Sequence, residues 1–239
     1  MRILFFDMEF ANGKVGGSIY SIGYLITDED FEVLVPPTDV LINPECEWNE
    51  YVKENILAYP LEQVEAAPPF SGVYADVCSL FAQADLAVGF SVSNDNRALK
   101  KDCVRYGLEM PLYRYFDVEK LCRQMEEHKE AHGLKGYATA WCGKEPDNAH
   151  RSDGDALATM ELFRAICKQK HVTPEMILEA FPDCVGRIGA NQPKSEKKRT
   201  HRRGNKESRG GRSRRGHAKQ KALNRAAETN TAEQAKGEE

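Results

Sequence analysis

The sequence predicts an α/β fold, a mixed β-sheet flanked by helices, and three observations point there. Strand-like runs come first, as a β-meander. Helical periodicity then alternates with short apolar runs, the pattern of a sheet that helices cover. Third, this patterning stops near Pro193. From Lys194 onward the only large apolar residue is Leu223, and Lys, Arg, Gly, Ser and Glu take over. Such a segment cannot bury enough apolar surface to offset its ordering entropy. Residues 1–190 therefore read as one folded domain and residues 191–239 as a disordered, Arg/Lys-rich tail.

Arg2 to Phe10 reads as a strand, apolar on both faces until Asp7 and Glu9 interrupt it. Asn12 to Gly17 is a loop, Ser18 to Ile26 a second strand, and Asp28-Glu29-Asp30 a hairpin turn into a third strand, Phe31 to Val35. Pro36 to Tyr59 is less regular, with Pro36-Pro37 and Asn43-Pro44 as breakers. Pro69 to Ala84 has Phe70, Val73, Val77, Leu80 and Phe81 near helical spacing. Leu86 to Phe90 is a short buried strand, and Asn94 to Gly107 a helix stopped by glycine. Tyr115-Phe116 is another strand, followed by helices over Val118 to Glu130 and Gly133 to Cys142. Ser152 to Lys170 is the longest helix, with Ala156, Met160, Phe163 and Cys167 on one face.

Charge is distributed unevenly. The net of −4 hides 14 Lys or Arg against two Glu in residues 194–225, so the body is strongly acidic. A basic arm on an acidic globule suits a polyanionic partner reached through the arm, or serves solubility alone. The 7 cysteines are scattered with no C-x-x-C pair, which argues against a zinc framework or a disulfide set. The strand-like opening is too short for a signal peptide, and no run approaches the roughly 20 apolar residues of a membrane span. A cytoplasmic location and no membrane partner are the expectations.

Asp7 and Glu9 carry the strongest chemical signal. Residues two apart in a strand share a face. Two carboxylates on one face of an otherwise apolar strand are costly unless a metal or partner compensates, or unless they sit at a solvated strand end. Asp28 and Asp30 have the same spacing but read as a turn. Asp95 comes after the Leu86–Phe90 strand and could cap a helix. Asp155 opens the long helix, where a carboxylate also suits the dipole, with Ser152 or Asp153 as its cap. His150 lies five positions earlier, in the preceding loop.

Taken together, D-x-E on the first strand, an Asp after a later strand and H-x-x-x-x-D opening the last long helix resemble the DEDD exonucleases, histidine subclass. These are the DnaQ-like and ribonuclease T-type enzymes of the ribonuclease H-like superfamily. The resemblance spans about residues 2–170, and the stretch from His150 to Ala156 is its most specific part. Tyr115 to Leu121 also looks like a family segment. One motif departs: the family often has Gly-His-Asn and an aromatic before the Asp, where this chain has Gly89-Phe-Ser-Val-Ser-Asn-Asp95.

The resemblance implies two divalent cations, Mg²⁺ or Mn²⁺, held by Asp7, Glu9, Asp95 and Asp155, with His150 as general base. It implies hydrolysis from the 3′ end of single-stranded nucleic acid, DNA or RNA, to nucleoside 5′-monophosphates. Without cations, converging carboxylates would repel by about 4 kcal/mol per pair at about 4 Å. Phe10 would stack on a terminal base or simply pack in the core. The Arg-Gly repeats of the tail resemble segments that bind phosphate backbones non-specifically. Two rivals stand beside this reading: an inactive nucleic-acid-binding or scaffold protein of the same fold, and a ribonuclease H-type endonuclease.

Overall fold

Eight residues, Ile3–Phe10, form β1 at the centre of the sheet. In the computed structural model, which describes residues 1–15, 17–147 and 150–189, β1 pairs antiparallel with β2 (Ile19–Thr27). On its other side it pairs parallel with β4 (Leu86–Gly89). The six strands run in the order β3-β2-β1-β4-β5-β6, with β3 (Val33–Leu41) and β6 (Val185–Ile188) at the edges and β5 (Tyr113–Asp117) beside β4. This is the expected mixed sheet. The tail expected from residue 191 lies outside the described residues.

Both faces of β1 are covered, so it reads as a continuous apolar run. Leu4, Phe6 and Met8 point into a cluster with Phe70, Val77 and Phe81 of α3 (Phe70–Ala82) and Leu99 of α4 (Ser93–Arg105). Ile3 and Phe5 point the other way, into a cluster with Ala156, Met160 and Phe163 of α7 (Ser152–Lys170). That second cluster also takes Leu121 of α5 (Val118–Cys122), Trp141 of α6 (Gly133–Cys142) and Ile177 of α8 (Pro174–Ala180). Two short helices, α1 (Glu50–Asn55) and α2 (Leu61–Glu65), lie between β3 and α3. Alternation places Asp7 and Glu9 on the α7 side, after Ile3 and Phe5.

Two expectations are corrected. The third strand does not end at Val35 but continues to Leu41. Tyr24 pairs with Thr38 and Ile26 with Val35, so Pro36 and Pro37 occupy a bulge opposite Leu25. Prolines are tolerated there because β3 is an edge strand and a bulge leaves their missing N–H groups unused. The helix expected over Val118 to Glu130 stops at Cys122. Past it, Met125 alone is buried before His128 takes a positive φ of 53°. Good helix formers without an apolar stripe to bury do not sustain a helix.

Candidate metal centre

Because β1 and β4 are parallel neighbours, their C-terminal ends open onto the same edge of the sheet. β1 ends with Asp7 and Glu9. β4 leads into α4, and Asp95 stands in the first turn of that helix. The capping alternative fails, since Val92 holds the N-cap position and Asp95 lies inside the helix. Asp155 stands in the first turn of α7, where Asp7 and Glu9 face it. One ligand atom each of Glu9, His150 and Asp155 lies within 4.8 Å of the others. His150 is exposed and left-handed, with φ 68°, an uncommon conformation for a non-glycine residue.

The carboxyl groups register this crowding. Burial pushes Asp7 well above the carboxylate range, and the charges of Asp95, Glu9 and Asp155 push it further. Glu9 is pushed up to about 8 by burial and then by Asp155. Asp95 is raised by burial and then by Glu9 and Asp117, against backbone N–H groups that favour its charged form. Asp155 rises to about 6 by burial, with His150 opposing. None of the leading influences on these four is a lysine or arginine. Asp95 is 3% exposed and its Oδ2 has no hydrogen-bond partner. A buried, unpartnered carboxylate oxygen is costly unless a cation meets it. Four carboxyl groups make an oxygen donor set of the kind that suits hard divalent cations.

Comparison with known proteins agrees with the fold. The exonuclease family model matches residues 4–163. The chain belongs to the exonuclease family. Escherichia coli exonuclease I bound to a dT13 oligonucleotide superposes with a TM-score of 0.59 at 16% identity, over 75% of this chain and 43% of that one. The zinc-bound form of the same enzyme with single-stranded DNA gives 0.63 at 16% identity, over 76% and 43%. The nuclease domain of 3′hExo, a DEDDh family member bound to rAMP, gives 0.59 at 13% identity, over 70% and 91%. At such identities the likeness is one of fold, and the chain spans less than half the length of exonuclease I. No curated protein matches the sequence.

The exonuclease domain also uses residues that the sequence did not single out. Asp7, Gly23 and Asp39 sit opposite one another on β1, β2 and β3. A Cβ at Gly23 would overlap the backbone of Ser152 and Asp153, so its absence lets α7 start directly on the sheet. The sequence suggested Ser152 or Asp153 as the α7 cap. Instead Arg151 holds the N-cap position without a side-chain cap bond, and Asp39 accepts from the Asp153 N–H at 2.9 Å and the Ser152 hydroxyl at 2.8 Å. Ser21, Tyr59 and Ser152 hydroxyls meet beneath this contact.

Phe10 is partly buried against the α3–α4 cluster and also lines a cavity of about 240 Å³ with Ser18, Asn94, Arg97 and Lys101. The loop forming one wall is tied to α4. Lys101 Nζ donates to the Gly13 and Val15 carbonyls at 3.2 and 3.1 Å, and Asp102 accepts from the Ser18 and Ile19 N–H groups at 3.1 and 3.2 Å.

Proposed function

We propose that this protein is a metal-dependent exonuclease that removes nucleotides from the 3′ end of single-stranded DNA or RNA as nucleoside 5′-monophosphates. The observation that carries the reading is the meeting of Glu9, His150 and Asp155, from a strand end, a loop and a helix start, beside Asp7 and an unpartnered Asp95 oxygen. Asp7, Glu9, Asp95 and Asp155 would hold two Mg²⁺ or Mn²⁺ ions, which when bound would stabilise the attacking and leaving oxygens of an in-line displacement at phosphorus. His150 takes the proton of the attacking water, a task that a near-neutral imidazole suits. Its exposed position leaves a path for that proton to solvent.

The cavity beside Phe10 receives the terminal nucleotide. Phe10 offers a ring face for a base, and Arg97, which is exposed, offers a cation to a phosphate. The fastened loop keeps this wall in place while the strand advances. Residues 191–239 act as an electrostatic arm that raises local substrate concentration without reading sequence. Product analysis tests the chemistry: nucleoside 5′-monophosphates should accumulate, and a 3′-phosphate on the strand should slow their release. Nucleoside 3′-monophosphates as products would overturn the proposal.

A further inference from the structure

We propose that Asp39 is a positioning residue for this site: through Arg151, Ser152 and the Asp153 amide it sets where His150 and Asp155 stand over β1. The inference rests on the exonuclease reading and deepens it. A helix start leaves its first N–H groups without intrahelical partners. In α7 the residue at the N-cap position makes no side-chain cap bond; Asp153 Oδ1 accepts from the Gly154 N–H at 2.8 Å, and the acceptor for the Asp153 N–H comes from β3, more than a hundred residues earlier in the chain.

The carboxylate of Asp39 is fully used in doing so. Oδ1 accepts from the Ser152 hydroxyl and the Asp153 N–H, at 2.8 and 2.9 Å. Oδ2 accepts from the Tyr59 hydroxyl at 2.5 Å and from Arg151 Nη2 at 3.2 Å. Four donors match the roughly four lone-pair sites of a carboxylate. Arg151 is gripped from both sides, since its Nε and Nη2 also donate to Asp153 at 3.1 and 3.2 Å. Its guanidinium lies 5.3 Å from the centre of the Tyr59 ring. Arg151 comes directly after His150, so the clamp holds one end of the left-handed turn that presents the imidazole. At its other end Asp155 donates its N–H to the Arg151 carbonyl at 2.8 Å, which ties the ligand turn to the same clamp.

Register sets this geometry. Asp39 and Asp7 lie opposite each other across Gly23, two strand spacings apart, or about 10 Å. α7 therefore starts where the glycine leaves room and where Asp39 supplies acceptors. Its first turn then projects Asp155 toward Glu9. The Asp39 side chain is only 10% exposed, so it acts through its neighbours and not on a strand directly.

The experiment uses the full-length chain. Asp39→Ala should lower kcat on a short single strand by about 10–100-fold, as removal of an outer-shell partner does, with KM within about twofold. It should also raise the Mn²⁺ dissociation constant in calorimetry and speed exchange of the Asp153 and Asp155 amides by at least about tenfold. Asp39→Asn keeps one acceptor oxygen and should recover part of both losses. It carries the same test if Asp39→Ala does not fold. An unchanged Mn²⁺ affinity and kcat with freely exchanging amides would show a cap that serves stability alone, and a rise in KM with kcat intact would make Asp39 a substrate contact. Either overturns the proposal. Because exchange and Mn²⁺ binding need no turnover, a wild-type chain that binds Mn²⁺ yet trims no strand would overturn the exonuclease reading and leave the positioning role measurable.

Discussion

Carboxyl groups crowded at the end of β1 stand at a cost that their raised pKa values express. Asp7→Asn or Asp155→Asn removes one charge from that crowd and one ligand from the proposed centre. Mg²⁺-dependent hydrolysis should fall by about a hundredfold or more, while the metal-free melting temperature rises. Activity above about a tenth of wild type would remove that residue from the ligand set. His150→Ala should slow hydrolysis by about 10²–10⁴, the usual contribution of a positioned base. The imidazole shares a cluster with Glu9 and Asp155, so Mn²⁺ titration of this variant separates two roles. Unchanged affinity supports a base, and affinity that falls with activity makes His150 a ligand. The sharing of one strand face by Asp7 and Glu9 was legible because it is local, whereas the meeting of Glu9 with His150 and Asp155 was expected only from the resemblance that D-x-E and H-x-x-x-x-D carry. Asp39 was not legible. Its part depends on register across two strands and on a bulge where Pro36-Pro37 made the sequence look irregular.

At the scale of elements, the site depends on how closely α7 meets the sheet. Gly23→Ala places a methyl group against the backbone of Ser152 and Asp153, which cannot yield as a flexible side chain would. We expect destabilisation of about 3 kcal/mol or more, the upper range for overpacking, read as a lower urea midpoint at unchanged slope. Activity should fall further than folded fraction does, since α7 must shift to relieve the overlap. A variant with wild-type midpoint and turnover would refute the close approach. The α7 and α3 helices were readable because their apolar stripes persist over several turns. The α5 boundary was not, because residues 123–130 favour helix locally but have too little core to cover.

For the whole molecule, pH and the tail give independent handles. Folding raises Asp155 from 3.8 to about 6 and Glu9 from 4.5 to about 8. An acid raised by folding stabilises fully below its unfolded pKa, and that contribution disappears as pH rises through the folded value. The metal-free protein should thus lose melting temperature between roughly pH 4 and pH 8, and Mn²⁺ should restore most at the upper end. Below about pH 8, where Glu9 and then Asp155 take up protons, Mn²⁺ affinity should weaken by up to about tenfold per pH unit for each proton displaced. A flat profile in metal-free buffer would contradict the buried cluster. Truncation after Pro193 should leave the domain folded and lower the salt slope of binding to long strands by about 0.7 for each phosphate that the arm no longer neutralises. An unchanged slope would assign the arm to another partner. The measurement that reaches the central claim most directly is hydrolysis of a 5′-labelled single strand, with and without Mg²⁺ or Mn²⁺. The account predicts a metal-dependent ladder that shortens from the 3′ end and vanishes in Asp155→Asn; internal cuts, or no cleavage with either metal, would contradict it.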